Sequence, residues 1–157
     1  MLLPVFEWCD ATALGAAVRN SLWLFPVIES VHLLGLSVLG GALLVVDLRL
    51  LGVGLKKQTI AELAGQMRPW LLGAVSVMGV TGFLLFLSES IKCYYNDAFW
   101  LKIETLPVAL LFSFTVRARV AGAGGLDASL RTRIVGAISI ALWFTVAAAG
   151  RWIGFSG

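Results

Sequence analysis

Residues 22–46 read LWLFPVIESVHLLGLSVLGGALLVV, an apolar run whose only ionisable side chains are Glu29 and His32. About 20 apolar residues in a helix cross the hydrocarbon core of a bilayer. Three further runs of comparable length follow, at residues 70–87, 99–116 and 134–153. A helix satisfies its own backbone hydrogen bonds in lipid, whereas an extended segment does not. The sequence therefore predicts an all-α fold, an integral membrane antiparallel four-helix bundle.

The composition supports a single membrane domain spanning residues 1–157. Hydrophobic residues make up 59% of the chain and charged residues 13%, whereas a soluble domain carries about 25% charged residues. This excludes a soluble enzyme and makes the lipid bilayer one partner. The net charge of +3 comes from basic residues placed between apolar runs, so nucleic-acid binding is not expected.

The N-terminal region precedes the first apolar run and contains both charged and apolar residues. Asp10 is a candidate N-cap for a short helix ending at Arg19. Trp8, Leu14 and Val18 would then face lipid. This pattern predicts a short N-terminal interfacial helix along the membrane surface.

The distribution of Lys and Arg predicts the orientation of the bundle. Eight lie in or beside the first and third loops (Arg49, Lys56, Lys57, Arg68, Arg117, Arg119, Arg131, Arg133), and four lie on the opposite side (Arg19, Lys92, Lys102, Arg151). Loops rich in Lys and Arg stay in the cytoplasm. The prediction is a multi-pass protein of the bacterial inner (plasma) membrane with both termini in the periplasm.

Both cysteines, Cys9 and Cys93, fall on this predicted outer side. An oxidising periplasm would allow them to form a disulfide. Two unpaired thiols near the interface are the alternative, and the spacing does not decide between them.

Ionisable side chains within spans are candidate functional groups, because each costs about 2.5–3.5 kcal/mol to insert. They concentrate in the outer half of the membrane: Glu29, His32, Lys102, Glu104 and Arg151, with Glu89 at the end of the second span. Glu29 and His32 are three residues apart, so they share a helix face and can touch. The same stripe reaches Asp47 and is expected to face the bundle.

Four interpretations of this cluster remain open. In the first, it is structural: His32 donates to Glu29, and Lys102 or Arg151 neutralises the carboxylate. In the second, His32 and Met78 lie near the midplane and ligate a b-type haem, or two copies of His32 do so in a homodimer.

The third interpretation is a metal site, because Glu-x-x-His is the repeating unit of di-iron bundles. The chain lacks a second such unit, and Glu104 does not complete the set, so no metal site is assigned. The fourth is a proton relay or a ligand pocket, since histidine exchanges protons near neutral pH. Lys102 and Arg151 would then attract an anion or a quinone head group.

Five stretches carry a resemblance to a known family: VIESVHLLGL at 27–36, VDLRLLG at 46–52, TGFLLF at 81–86, AFWLK at 98–102 and AGRWI at 149–153. Together they resemble an uncharacterised family of small bacterial four-helix inner-membrane proteins, catalogued as a domain of unknown function. The resemblance implies an inner-membrane bundle and no established activity. The His-Leu-Leu-Gly run is also weakly similar to helices of the cytochrome b561 and copper-resistance D membrane proteins. Those families use several histidines, and this chain has one.

Three classes of function are compatible with these features. The first is a cofactor- or quinone-linked redox or proton-handling subunit, with haem b as the candidate cofactor. The second is a transporter or channel-like module that acts as an oligomer. The third is a structural accessory subunit of a larger membrane complex. The expected protein partner is accordingly a second copy or such a complex.

Overall fold

The computed structural model describes residues 2–155. Its helices are α1 (Leu3–Asp10), α2 (Ala13–Asn20), α3 (Leu24–Leu50), α4 (Ile60–Ser88), α5 (Ser90–Tyr94), α6 (Asp97–Phe112), α7 (Ala118–Gly122) and α8 (Leu130–Ile153). A π-helical segment, Ser113–Arg117, joins α6 to α7 without a break. No strand occurs in residues 2–155. Four helices are long and apolar enough to cross a membrane: Leu24–Leu50, Ile60–Ser88, Asp97–Gly122 and Leu130–Ile153. The predicted all-helical membrane bundle is confirmed.

The helices extend beyond the apolar runs that predicted them. Helix α4 begins at Ile60, ten residues before the predicted span, because Thr59 and Glu62 form a capping box. The Thr59 hydroxyl accepts from the Glu62 N–H at 3.1 Å, and the Glu62 carboxylate accepts from the Thr59 N–H at 2.9 Å. These bonds satisfy backbone donors that a helix start leaves free. Hydropathy detects only the part of a helix that lies in hydrocarbon, so polar helix ends escape it.

Helix α3 is the centre of the bundle and packs against both α4 and α8, while α8 also packs against α6. Helices α4 and α6 have no comparable packing along their length within residues 2–155. They are connected at their ends, through α5 at the end that carries α1 and α2, and through α7 at the other end. We call these ends the terminal side and the loop side. The opening between α4 and α6 is the lateral gap.

The terminal side is covered by α1 and α2 rather than by the single predicted helix. Thr12, not Asp10, caps the second of them, because its hydroxyl accepts from the Gly15 N–H at 3.2 Å. Asp10 instead ends α1 and forms an ion pair with Arg19 at 2.6 Å. Val18, predicted to face lipid, is only 3% exposed. The prediction was wrong for Val18 because α2 packs on the end of α4.

An aromatic cluster closes the terminal side beneath α1. Phe6 contacts the rings of Phe86, Tyr94, Phe99 and Trp100, with ring centroids 5.2–6.1 Å apart. The first three of these contacts are edge-to-face, an arrangement that adds stability beyond the burial of apolar area. The cluster fixes α1 and α5 against the start of α6.

The loop side is held together by a buried arginine. Arg49 is 1% exposed. Its guanidinium donates to the Gln58 carbonyl at 3.0 Å and to the Leu126 carbonyl at 2.5 Å. The two carbonyl acceptors belong to different loops on the loop side. Arg49, one of the basic residues that predict the orientation in the membrane, therefore also joins the two loops.

Candidate functional site

His32 lies at the interface between α3 and α4. Its ring packs against Gly82, where a Cβ atom would come within 3.2 Å of the His32 Cε1. A glycine at this position therefore gives the imidazole its space. The His32 Nδ1 is 2.8 Å from the Thr81 hydroxyl oxygen.

The hydrogen bonds of Thr81 determine the tautomer of His32. The Thr81 hydroxyl donates its single proton to the Val77 carbonyl at 2.7 Å. With that proton on the Val77 carbonyl, the hydroxyl accepts from the imidazole, and this assignment places the hydrogen on Nδ1. Nε2 then keeps a free lone pair, and it has no hydrogen-bond partner within residues 2–155. Residues 2–155 contain no side-chain nitrogen or oxygen that is both buried and unpaired. The unpaired Nε2 is therefore accessible at the surface of the protein.

Lys102 brings a positive charge to the same region from α6. Its ammonium group lies beside α8, with Nζ 3.5 Å from the place a Cβ would take at Gly150. Lys102 lies three residues after Phe99, whose ring stacks on Phe86 of α4 with centroids 5.7 Å apart, so it belongs to the same half of the bundle as His32. Lys102 is half-buried and forms no ion pair or hydrogen bond with any described residue. The terminal half of the bundle therefore holds both an unneutralised cation and a histidine with a free ring nitrogen.

The other predicted members of the cluster are exposed or paired with other residues. Glu29 is exposed, and the hydrogen bond of the His32 Nδ1 goes to Thr81 on another helix. The predicted Glu29–His32 hydrogen bond is therefore wrong, because packing turns the ring towards α4. Glu104 is exposed on α6. Arg151 is exposed and stacks on the Phe155 ring at 4.5 Å. Glu89 is 3.7 Å from Lys92.

Met78 lies nearer the loop side on the same α3–α4 interface. Its sulfur is 3.3 Å from the place a Cβ would take at Gly35. It packs on a buried apolar cluster that includes Leu39 and Leu71. His32 and Met78 thus fill neighbouring levels of one closely packed interface. Axial ligation of a haem by His32 and Met78 stays a prediction.

A second polar cluster, which the sequence reasoning did not assemble, lies in the loop-side half. The Arg117 Nε donates to the Asp47 carboxylate at 2.6 Å, with side chains 7% and 1% exposed. The Ser139 hydroxyl donates to the other carboxylate oxygen at 2.7 Å. Arg117 also donates to the Leu43 carbonyl at 3.1 Å. This ion pair ties the first, third and fourth spans together.

The sequence contained a partial signal for this pair. Asp47 was predicted to face the bundle, and it does. Arg117 was assigned to the edge of a loop because the apolar run ends at Val116. The structure instead places it inside the third span, where the π-helical segment sits. A π segment arises where one residue is added to a helical turn, which hydropathy cannot detect.

Cys9 and Cys93 are both buried free thiols. They lie on α1 and α5, which pack together. Burial, with a smaller contribution from the negative charge of Glu89, raises the pKa of the Cys93 thiol to about 11. This thiol is therefore protonated and weakly nucleophilic at neutral pH.

No group of three or more His, Cys, Asp and Glu side chains that could hold a metal ion occurs between residues 2 and 155. The arrangement around His32 and Lys102 thus offers one ring nitrogen and one ammonium group rather than a ligand cage. Such a pair can accept one proton and donate hydrogen bonds to an oxygen-rich ligand.

Comparison with known proteins identifies the family of the chain. No curated protein and no solved structure matches it. The weaker resemblance to cytochrome b561 and copper-resistance D proteins is therefore without support. One family model, described as "Family of unknown function (DUF6644)", matches residues 5–156. The match covers nearly the whole chain, and the chain belongs to this family of unknown function.

Proposed function

We propose that this protein is a redox-linked or proton-handling membrane subunit in which His32 and Lys102 bind a quinone-type head group. The observation that carries the proposal is the bonding of His32. Thr81 holds Nδ1 and thereby leaves the Nε2 lone pair free, in the same half of the bundle as the unpaired side chain of Lys102.

The chemistry of the two groups suits opposite ends of such a ligand. The His32 Nε2 accepts the hydroxyl proton of a quinol, as a general base with a fixed ring orientation. The Lys102 ammonium donates to the carbonyl or phenolate oxygen at the other end. Hydrogen bonds to a charged donor are strong where water is scarce. A purely structural pair would instead be expected to have its charge neutralised by a carboxylate.

The lateral gap provides the route for a lipid-soluble ligand. Helices α4 and α6, which carry Thr81 and Lys102, lack extensive packing on each other within the described chain. A quinone moving in the bilayer would reach the two groups between these helices. It would not have to pass the aromatic cluster on the terminal side.

The proposal also requires an orientation in the membrane and an acceptor for electrons. The excess of Lys and Arg at the loop side favours an orientation with both termini in the periplasm of a bacterial inner membrane. A quinol that is oxidised releases two protons and two electrons, and the electrons require an acceptor. We therefore expect a second copy or a larger membrane complex to supply one.

A second candidate function is haem ligation by His32 without Met78. A histidine whose Nδ1–H is held by a hydrogen bond is oriented for ligation through Nε2. The other axial ligand would come from a second copy of the chain. This candidate makes a spectroscopic prediction that the quinone site does not.

The test uses the detergent-purified protein titrated with a short-chain ubiquinone. His32→Ala and Lys102→Met should each weaken binding by about 10- to 100-fold, as expected for loss of a hydrogen bond to a charged or catalytic group. Glu104→Gln, an exposed site on the same helix as Lys102, is the matched control and should bind normally. Absence of binding by the wild type, or equal losses in the control, refutes the quinone site.

Absorption spectra of the same sample, oxidised and reduced, separate the two candidates. A Soret band with sharp reduced α and β bands, lost in His32→Ala, assigns haem. A colourless, metal-free protein that binds quinone supports the first proposal. A colourless protein that binds no quinone leaves transport by an oligomer or a structural role in a complex.

A further inference from the structure

A groove opens between α4 and the third span on the loop side of the lateral gap. Its volume is about 440 Å³. Small residues form much of its wall, among them Gly65, Ala118 and Gly122. Three arginines line it: Arg68 from α4, Arg117 from the π-helical segment and Arg119 from α7.

The groove carries a positive charge that no acidic residue of its lining offsets. The buried Arg117 is neutralised by Asp47. Arg68 and Arg119 are exposed and have no ion-pair partner within residues 2–155. The nearest acidic residue along α4, Glu62, is occupied by the capping box with Thr59. The groove therefore offers two free guanidinium groups to an anion.

The expected depth of Arg68 and Arg119 in the membrane indicates which class of anion they would bind. The apolar run of α4 starts at Trp70, just after Arg68, and that of the third span ends at Val116, just before Arg119. Trp70 is 62% exposed, as expected for an aromatic residue at the headgroup boundary. We therefore expect both guanidinium groups at the depth of lipid phosphates. Leu71 and Phe114, which also line the groove, are expected where the hydrocarbon begins.

We propose that this groove is a binding site for an anionic phospholipid. The phosphate is held by Arg68 and Arg119, and an acyl chain lies along the small residues of the groove. Basic pockets between membrane helices recognise anionic head groups by this combination of charge and apolar surface. The site is independent of the His32–Lys102 site, which lies in the other half of the bundle.

The test is native mass spectrometry of the detergent-solubilised protein with phosphatidylglycerol, compared with phosphatidylcholine of the same chains. The wild type should prefer phosphatidylglycerol. Arg68→Gln with Arg119→Gln should weaken its binding roughly 30-fold, at the strength expected for two basic groups at a membrane surface. Lys56→Gln with Lys57→Gln removes the same charge from an exposed loop on the same side and should have little effect.

A second variant tests the groove without changing its charge. Gly65→Leu should fill the groove, since a Cβ at Gly65 meets nothing within 4 Å, and should also abolish the preference. Equal losses in the lysine variant would show general surface attraction and overturn the proposal. Inorganic phosphate that displaces the lipid at millimolar concentration, or the absence of any preference between the two lipids, would overturn it too.

Discussion

Breaking the Asp47–Arg117 pair from one side should be the most damaging conservative change in this protein. Asp47→Asn keeps the shape of the side chain and removes its charge. The Arg117 guanidinium, 7% exposed, then faces a neutral amide in place of the carboxylate 2.6 Å away and cannot lose its own proton. Removing one partner of a buried pair costs about 3–5 kcal/mol. We expect the free energy of unfolding to fall by that amount.

The reverse substitution should cost less. Arg117→Gln leaves the Asp47 carboxyl, which keeps the Ser139 hydrogen bond and can become neutral by binding a proton. The expected loss is about 1–3 kcal/mol, the cost of one unsatisfied buried group. Ser139→Ala removes a single hydrogen bond and should cost about 1 kcal/mol. Replacing both charges with apolar residues, Asp47→Leu and Arg117→Met, should restore much of the stability.

The assay is reversible unfolding in mixed micelles of dodecyl maltoside and sodium dodecyl sulfate, followed by circular dichroism. Asp47→Leu and Arg117→Met, made singly and together, form a double-mutant cycle that isolates the pairwise energy. If the free energy of unfolding of Asp47→Asn is within 0.5 kcal/mol of the wild-type value, the ion pair does not hold the spans together. A double variant that is no better than Asp47→Asn would refute the argument from an unpaired charge.

Three further predictions concern packing, the loops and pH. Gly136→Ala should destabilise the bundle by about 1–3 kcal/mol, because its Cβ would lie 2.9 Å from the Asp47 backbone oxygen; unfolding in mixed micelles measures this. Arg49→Gln should leave the spans folded but speed hydrogen exchange in both loops, since two backbone carbonyls lose a charged donor. The Cys93 thiol should alkylate slowly at pH 7.5. Its pKa is about 11 in the folded protein and 9.0 as the ordinary value. The stability that the protonated thiol contributes should therefore be complete below about pH 9 and be lost as the pH rises from 9 to 11.

Each of these has a matched comparison. Gly79→Ala, where a Cβ meets nothing within 4 Å, should be neutral or slightly stabilising; equal losses at both glycines would contradict the packing argument. For Arg49, Lys56→Gln is the control, and unchanged exchange in the loops of Arg49→Gln would show that they do not depend on it. Alkylation is read in a Cys9→Ser background, and labelling of the folded protein as fast as that of the unfolded protein would refute the burial of Cys93.

The fold was predictable because few backbone conformations are stable in lipid for a chain this apolar. Four runs of suitable length leave the helix as the only economical conformation, and the four long helices are where the runs predicted them. Their ends were not predictable from hydropathy. The start of α4 depends on the Thr59–Glu62 capping box, which lies outside the apolar run.

The candidate site was predictable only in part, because helix rotation depends on tertiary packing. Residue spacing correctly placed His32 and Asp47 towards the bundle. It could not show that Thr81, rather than Glu29, would receive the His32 hydrogen bond. The Arg117 contact was missed for a different reason, since it depends on the π-helical segment and on a long-range meeting of two spans.

That π-helical segment has a consequence for the history of the family. A π turn within an α-helix contains one residue more than the α-helical turn it replaces, so the face presented by every residue after it is rotated. Relatives that lack the added residue near Ser113–Arg117 should align with a one-residue gap inside a membrane span. In those sequences the partner of Asp47 would point elsewhere, so we expect the aspartate and the arginine to be lost together. The one-residue gap in the alignment and the absence of the aspartate–arginine pair should therefore occur in the same relatives.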